Sequence, residues 1–327
     1  MSLRKANILS IDLDETLDEA GFRHIETVLQ DRLGSRLIGA SVYAADDGDT
    51  IWPYHYHRGI EEWLYVLTGE PLLRDPDGER RLKPGDFVCF PSGPGGAHTV
   101  RGPGRFVIFS TGEERQPWMS VYPDSGKVSG PEGMLLASSR VDYWHGEGTW
   151  KAEPGTSVKI HEPEVFPRPP IVNVDSLAPA VPAELEPPPG FRAREARLGG
   201  ALGAKMLGAT LYELDPGEAT APYHYERGRE EWLLVLSGAP TLRHPNGEDV
   251  LEAGDVICFV EGPAGAHLLV NRAENPARLI ILSTKQPHSS VHYPDSGKLL
   301  IRDGDGERYV FRTADAVGYW DGESGPG

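Results

Sequence analysis

The chain has 327 residues, which suggests about two domains, and its 39% hydrophobic and 25% charged content belongs to a globular protein rather than a disordered or fibrous one. Lys and Arg number 32 against 49 Asp and Glu, a formal charge of −17. So acidic a surface repels phosphate backbones and anionic lipid, and the expected partners include no nucleic acid and no membrane.

Gly (39) and Pro (29) punctuate the chain densely, which favours short strands and turns over long helices. Met1 to Asp14 carries Arg4 and Lys5, but carboxylates interrupt its apolar stretch too soon for a secretory signal. No apolar run approaches the roughly 18 residues of a membrane helix. The two cysteines, Cys89 and Cys258, form no disulfide framework, so a cytoplasmic location is expected.

In chain order, Ile8–Asp12 reads as a strand and Glu26–Leu33 as a short helix. Arg36–Tyr43 is a second strand, closed by the turn Asp46-Asp-Gly48. His55-Tyr56-His57 and Glu61–Leu67 are strands joined by the turn Arg58-Gly59. Leu72–Leu82 reads as a hairpin about Asp77-Gly78, expected to form a type I′ turn. After the turn Lys83–Asp86, Pro91–Ala97 is too rich in Gly and Pro for regular structure, and His98 follows it. Tyr122-Pro-Asp-Ser-Gly-Lys127 has the composition of a further turn.

The same text then recurs. Residues 53–70 and 222–239 are identical at thirteen of eighteen positions, and residues 85–98 and 254–267 at nine of fourteen. His55 to His224, Glu62 to Glu231 and His98 to His267 share one offset of 169 residues. That period is too long for a solenoid, so each copy is a domain, expected at 1–165 and 166–327. The opening strand recurs as Ile171–Asp175, Asn246-Gly247 is the second hairpin signal, and Gly190–Gly203 is a candidate short helix. The Pro-rich stretch Ala178–Gly190 is expected to run extended along the surface.

On a strand, residues i and i+2 share a face, so His55 and His57 project side by side. On the next strand Glu62 shares a face with Leu64 and Val66. If that face is the interior, Glu62 enters beside the histidines and His98 can join them. Three imidazoles and a carboxylate suit a divalent transition metal: Fe, Mn, Ni, Co or Zn. The alternative is four polar groups satisfied at a barrel rim, which burial would make costly unless each found a partner.

His55, His57, Glu62 and Gly69, followed by Gly85, Pro91, Gly93 and His98, resemble the two motifs of the cupin superfamily. Four residues separate Gly93 from His98 where the usual motif has two, and Gly48 stands seven residues before His55. His224, Glu231, Gly238, Gly254, Gly262 and His267 carry the likeness into the second copy. The resemblance implies an all-β bicupin of the cupin_2 type: two tandem double-stranded β-helix (jelly-roll) barrels with a metal in each mouth. Glu226 stands where the second copy should have its second histidine, so the expected set there is His224, Glu226, Glu231 and His267. Alternatively Glu226 turns to solvent or pairs with Arg227 or Arg229.

Other residues receive plainer readings. Glu61 and Glu230 are expected as solvated or ion-paired surface carboxylates. Trp63 and Trp232 should cover the outer side of a sheet or an inter-barrel contact, and Tyr56 and Tyr225 should face away from the metal. Lys127 and Lys298 belong to hairpin turns rather than anion anchors. Cys89 and Cys258 are packed core residues, and His24, His145, His161, His244, His288 and His292 are surface residues.

The resemblance points first to a metal-dependent enzyme on a small organic molecule, of dioxygenase type. The alternative is a non-catalytic module that binds or stores a small ligand. A DNA-binding regulator is disfavoured by the charge and by the lack of a helix-turn-helix pattern. A homodimer through sheet edges is compatible with this reading.

Overall fold

A computed structural model describes residues 3–112, 118–131, 133–141, 167–182 and 186–323. The expected boundary at 165/166 and two of the histidines, His145 and His161, lie outside these residues. The architecture is almost entirely antiparallel sheet. Each half closes a large sheet against two smaller ones as a cupin barrel. Among the described residues no helix is long and apolar enough to cross a membrane.

In the first half the large sheet runs Ile171–Asn173, Asp86–Phe90, Glu62–Gly69, Gly104–Thr111, Ile38–Ala45, Phe22–Val28, Glu15–Glu19. In the second it runs Ala6–Asn7, Asp255–Phe259, Glu231–Ser237, Ala277–Thr284, Leu207–Leu214, Arg194–Arg197. The outermost strand of each order comes from the other half. Ala6 and Asn7 pair with Val256 and Asp255, while Ile171–Asn173 pair with Val88, Phe87 and Asp86. The first copy's opening strand is Ala6–Asn7, while the expected strand Ile8–Asp12 lies in turn and irregular backbone; Ala6–Asn7 and Ile171–Asn173 are thus exchanged between the halves. Asn7 Nδ2 donates to Ala253 O (2.9 Å) and Asp255 Oδ1 (3.2 Å), and Asn173 Nδ2 to Pro84 O (3.0 Å) and Asp86 Oδ1 (2.8 Å).

Alternation along Glu62–Gly69 assigns its two faces. Leu64 and Val66 join Val88, Phe90, Phe106 and Ile108 inside the first barrel. Trp63 and Tyr65 lie on the opposite face, in an apolar layer shared with Trp232, Leu234 and Ile280 of the second half. The tryptophans are thus an inter-barrel contact, both fully buried. Cys89 is buried in the same layer with Cys258 packed against it, and burial pushes both thiols well above their ordinary range.

Several expectations need correction. Glu61 and Glu230 are 0% and 1% exposed, not surface carboxylates. Glu61 accepts the backbone N–H groups of Lys205 (2.6 Å), Met206 (3.1 Å) and Leu207 (2.9 Å) and the Trp63 indole (3.0 Å). Glu230 accepts those of Arg36 (2.8 Å), Leu37 (3.1 Å) and Ile38 (2.9 Å) and the Ser35 hydroxyl (2.5 Å). Each barrel thus caps a row of N–H groups on the other. His24 is also buried, at 1%, edge-on to Trp52 and Tyr43 with ring centroids 4.6 and 5.4 Å away. The expected helices shrink to single turns, Gln30–Leu33 and Leu198–Ala201, because Phe22–Val28 and Arg194–Arg197 pair as strands.

Both Gly-containing hairpins form, but one residue earlier than expected. Asp75 pairs with Gly78 and His244 with Gly247, so the loop residues are Pro76-Asp77 and Pro245-Asn246. Proline's fixed negative φ excludes a type I′ turn there. Tyr122 pairs with Lys127 across the expected turn, and Lys127 Nζ lies 5.4 Å from the Tyr122 ring centroid. Asp124 in that turn holds Arg74 through two contacts, 2.6 and 2.9 Å, and Arg74 covers Tyr54 at 4.0 Å. Asp295, Arg243 and Tyr223 repeat this clamp.

Candidate metal centres

The first centre begins with a backbone pairing. His55 N–H donates to His98 O (3.1 Å) and His98 N–H to His55 O (2.8 Å), which fixes two histidines opposite each other. The irregular loop before His98 is bound to this arrangement. Gly93 N–H donates to His57 O at 2.7 Å, and a Cβ on Gly96 would stand 2.0 Å from the Pro91 carbonyl oxygen. Only glycine fits there, which explains the composition that the sequence presents as irregular.

The side chains then converge. His55 Nε2 lies 3.2 Å from His57 Nε2, and Glu62 Oε2 lies 3.1 Å from His57 Nε2 and 3.5 Å from His98 Nε2. The facing atoms of His55, Glu62 and His98 all lie within 4.8 Å of one another. Each ring is held from behind. His55 Nδ1 faces Pro53 O (2.8 Å), His98 Nδ1 faces Gly96 O (2.9 Å) and His57 Nδ1 faces Ser120 Oγ (2.9 Å). Carbonyl oxygens accept only, so the Nδ1 atoms of His55 and His98 carry hydrogen and their Nε2 lone pairs face inward.

The Phe90 ring stacks on His98 at 3.7 Å and 4°. Burial, with His55 beside it, holds His98 down at about 3, and burial lowers His55 as well. Both are therefore neutral near pH 7, the form in which imidazole binds metal. Burial acts to raise the Glu62 carboxyl, but the imidazoles of His57, His98 and His55 overcome it and hold the group at about 2.

The donor set fits a divalent ion. Inward lone pairs at about 3 Å repel one another unless a cation or a proton lies among them. Glu62 Oε2 is buried without a hydrogen bond of acceptable geometry, as a carboxylate oxygen awaiting a cation would be.

The second half repeats most of this frame. His224 and His267 pair through the backbone at 3.1 and 2.8 Å, and their Nδ1 atoms face Pro222 O (2.8 Å) and Gly265 O (2.9 Å). His224, Glu231 and His267 lie within 4.8 Å of one another. Glu226 is buried at 7%, so it does not turn to solvent. Its Oε1 accepts from Arg302 Nη1 at 3.1 Å and its Oε2 lies 3.8 Å from Arg229 Nε. Burial and the Glu226 charge push the Glu231 carboxyl up to about 8.

Two differences accompany Glu226. His57 pairs with Ser120 across two strands, and Glu226 pairs with Val291 at the equivalent place, so the ring anchor leaves together with the ring. Arg229 and Arg302 stand where the first copy has Ile60 and Pro131. Sequence reasoning missed Ser120 and Arg302, although these departures from the repeat signal both positions. A depression of about 400 Å³ lies elsewhere, on the outer face, lined by Phe22, Trp52, Tyr54, Arg74 and Arg101 among others and by none of the candidate ligands.

Residues 44–112 and 210–283 match the cupin domain family Cupin_2. Pirin-1 of Arabidopsis thaliana is 24% identical over 216 residues, 63% of this chain and 71% of the relative. Oxalate decarboxylase from Lactobacillus farciminis, solved as a formate complex, superposes with a TM-score of 0.50 at 15% identity, over 90% of this chain and 89% of its own. A sugar phosphate isomerase of the cupin superfamily from Silicibacter pomeroyi is 26% identical over 46% of this chain and 97% of its own, with a TM-score of 0.40. The two matched regions fall on the two halves of the sequence repeat, each with its His/Glu group in a barrel; the chain is a bicupin of the cupin_2 type, a member of the cupin superfamily.

Proposed function

We propose that this protein is a metal-dependent enzyme acting on a small organic molecule, with its principal centre in the first barrel. His55, His57, Glu62 and His98 are the ligands of a divalent transition metal in that reading. The observation that carries it is the convergence of His55 and His57 Nε2 at 3.2 Å and Glu62 Oε2 at 3.1 Å, backed by Nδ1 contacts that aim the rings. A divalent ion held there supplies Lewis-acid or redox chemistry at open coordination positions.

The chain's own residues do the rest. Pro53 O and Gly96 O hold the hydrogens of His55 and His98 outward, which keeps both Nε2 atoms available. Phe90 and Tyr122 stack on His98 and His55, covering a face of each ring and fixing its plane. Among the described residues around the centre no acid or base stands out beyond the ligands, which favours chemistry carried by the metal and makes an O₂-dependent reaction of dioxygenase type the first to test.

The test is elemental analysis of untagged native protein and of His55→Ala, followed by oxygen consumption with Fe(II), Mn(II) or Ni(II) and candidate organic acids and phenols. Metal that disappears in the variant, with oxygen uptake in the wild type, supports the reading. Metal content unchanged by His55→Ala rejects the ligand assignment. Metal bound without turnover would favour the second reading, a non-catalytic small-ligand binder, which the replacement of His57 by Glu226 in the other barrel already recommends for that mouth.

A further inference from the structure

The two mouths share a frame, so their differences isolate what each was built to hold. Four positions change together from the first to the second: His57 to Glu226, Ser120 to Val291, Ile60 to Arg229 and Pro131 to Arg302. One imidazole and its anchor are lost, and one carboxylate and two guanidiniums are gained. Loss of a metal site alone would need no arginine.

Both arginines are largely buried, with side chains 21% and 23% exposed. Both are drawn to Glu226, but neither is satisfied by it. Arg302 makes one contact to Glu226 Oε1 at 3.1 Å and a long one to Ser289 Oγ at 3.4 Å. Arg229 Nε is buried without a hydrogen bond, and so is Glu226 Oε2. A guanidinium has five N–H donors and can be deprotonated by nothing in a protein, so donors left over at a mouth call for an acceptor.

Among the described residues the neighbouring carboxylates are already engaged. Arg308 lies directly across the strand pair from Arg302, a like-charge placement that is unfavourable in a sheet. Asp303 beside them is engaged by the backbone N–H groups of Asp305 and Glu307. Glu231 is directed to His267, 3.5 Å away. Three guanidiniums therefore gather around Glu226 and Glu231, both already engaged, in a chain whose net charge is −17. An acidic protein that concentrates cations at one opening presents an attractive field for an anion there.

We propose that the second barrel's mouth binds a small organic anion through Arg229 and Arg302, with Arg308 at its lip and Glu226 holding the two guanidiniums in place. The shared chemistry is a planar or tetrahedral oxyanion, a carboxylate or a phosphate, taken by the guanidinium fork. The inference rests on the functional reading only in treating this mouth as a place where a small molecule enters. It makes Arg229 and Arg302 specificity residues and divides the labour between the barrels.

The test is calorimetric titration of the full-length, metal-free chain with malonate and, separately, with inorganic phosphate. One anion is expected per chain, and whichever probe binds tighter identifies the source of the oxyanion. Arg229→Gln should weaken binding at least tenfold, and Arg229→Lys, which keeps the charge and loses the fork, should also weaken it. Arg302→Gln strands Glu226 and threatens the fold, so the Glu226→Gln/Arg302→Gln pair, checked by circular dichroism, should show the same loss. His55→Ala should bind as the wild type does. Failure of the wild type to bind either probe, undiminished binding in the arginine variants, or an equal loss in His55→Ala would overturn the proposal. Metal content is measured on native samples of the same preparations. Protein that carries metal but takes no anion refutes this inference alone, whereas protein that takes the anion but carries no metal refutes the metal reading and leaves this one standing.

Discussion

Glu61 of the first barrel accepts the backbone N–H of Leu207 in the second at 2.9 Å, and this contact is one of three that its carboxylate makes to consecutive residues there. Glu230 returns the arrangement on Arg36, Leu37 and Ile38. A charged acceptor shared by several N–H donors is among the stronger hydrogen-bonding arrangements, and its removal leaves buried donors unsatisfied. Glu61→Ala and Glu230→Ala should each destabilise the protein by roughly 3–5 kcal/mol, near the cost of breaking a buried charged network. A drop of about 10 °C in thermal midpoint would register it. A midpoint within 1 or 2 °C of wild type, on the order of what exposed substitutions produce, would show that the barrels do not depend on this lock.

The exchanged strands make a second, asymmetric prediction. Ala6 and Asn7 pair with Val256 and Asp255, so removing residues 1–9 should expose the edge strand Asp255–Phe259 of the second barrel. Hydrogen exchange should quicken there. The equivalent strand Asp86–Phe90 keeps Ile171–Asn173 beside it and should stay protected. Faster exchange in Asp86–Phe90 instead would contradict the exchange of strands between halves.

Much of this was legible in the sequence because period and repeat act locally. The alternation Glu62, Leu64, Val66 against Trp63, Tyr65 sorts the strand into two faces before any partner is known, and the structure shows the first of them to be the barrel interior. The His55, His57, Glu62 and His98 spacing then fixes which groups share a mouth. What the sequence concealed depends on tertiary contacts and on strand register. A Glu adjacent to a ligand looks solvated until a row of N–H groups from the other barrel closes over Glu61. His24 sits on a strand of mixed polarity, and its burial by Trp52 and Tyr43 is a tertiary fact. Asp77-Gly78 is a strong local hairpin signal, but the register pairing Asp75 with Gly78 gives the loop to Pro76 and Asp77 instead.

The lowered imidazoles set a direction for acid stability in metal-free protein. His98 is held down at about 3 by burial, whereas an exposed histidine in the unfolded chain titrates near its ordinary value of 6.5. Between those values the unfolded state binds the extra proton, so stability falls as pH falls through that window. Glu62, held at about 2 against its usual 4.5, adds stability that is present above pH 4.5 and is lost as pH drops towards 2. Both act in the same sense. The thermal midpoint of the metal-free chain should decline from pH 7 to pH 4, and His98→Gln should flatten the upper part of that slope. A midpoint that rises on acidification would contradict the neutral, buried state assigned to His98.

The ring anchors separate the two barrels most directly. His57 Nδ1 is met by Ser120 Oγ at 2.9 Å, and removing such an outer partner typically lowers metal affinity about 10–100-fold. Ser120→Ala should therefore weaken metal binding in the first barrel by about that factor while leaving the fold intact. His98→Ala should abolish it, and Glu62→Gln should weaken it less because an oxygen ligand remains. The second barrel, whose equivalent positions are Val291 and Glu226, should be indifferent to Ser120→Ala. Competition with a chromogenic chelator, read as ions per chain and as affinity for each variant, distinguishes these outcomes. If Ser120→Ala leaves the affinity of the first site unchanged, the serine does not aim the ring and His57 is held by something else; if both sites weaken together, the barrels are coupled through the layer formed by Trp63 and Trp232 rather than independent.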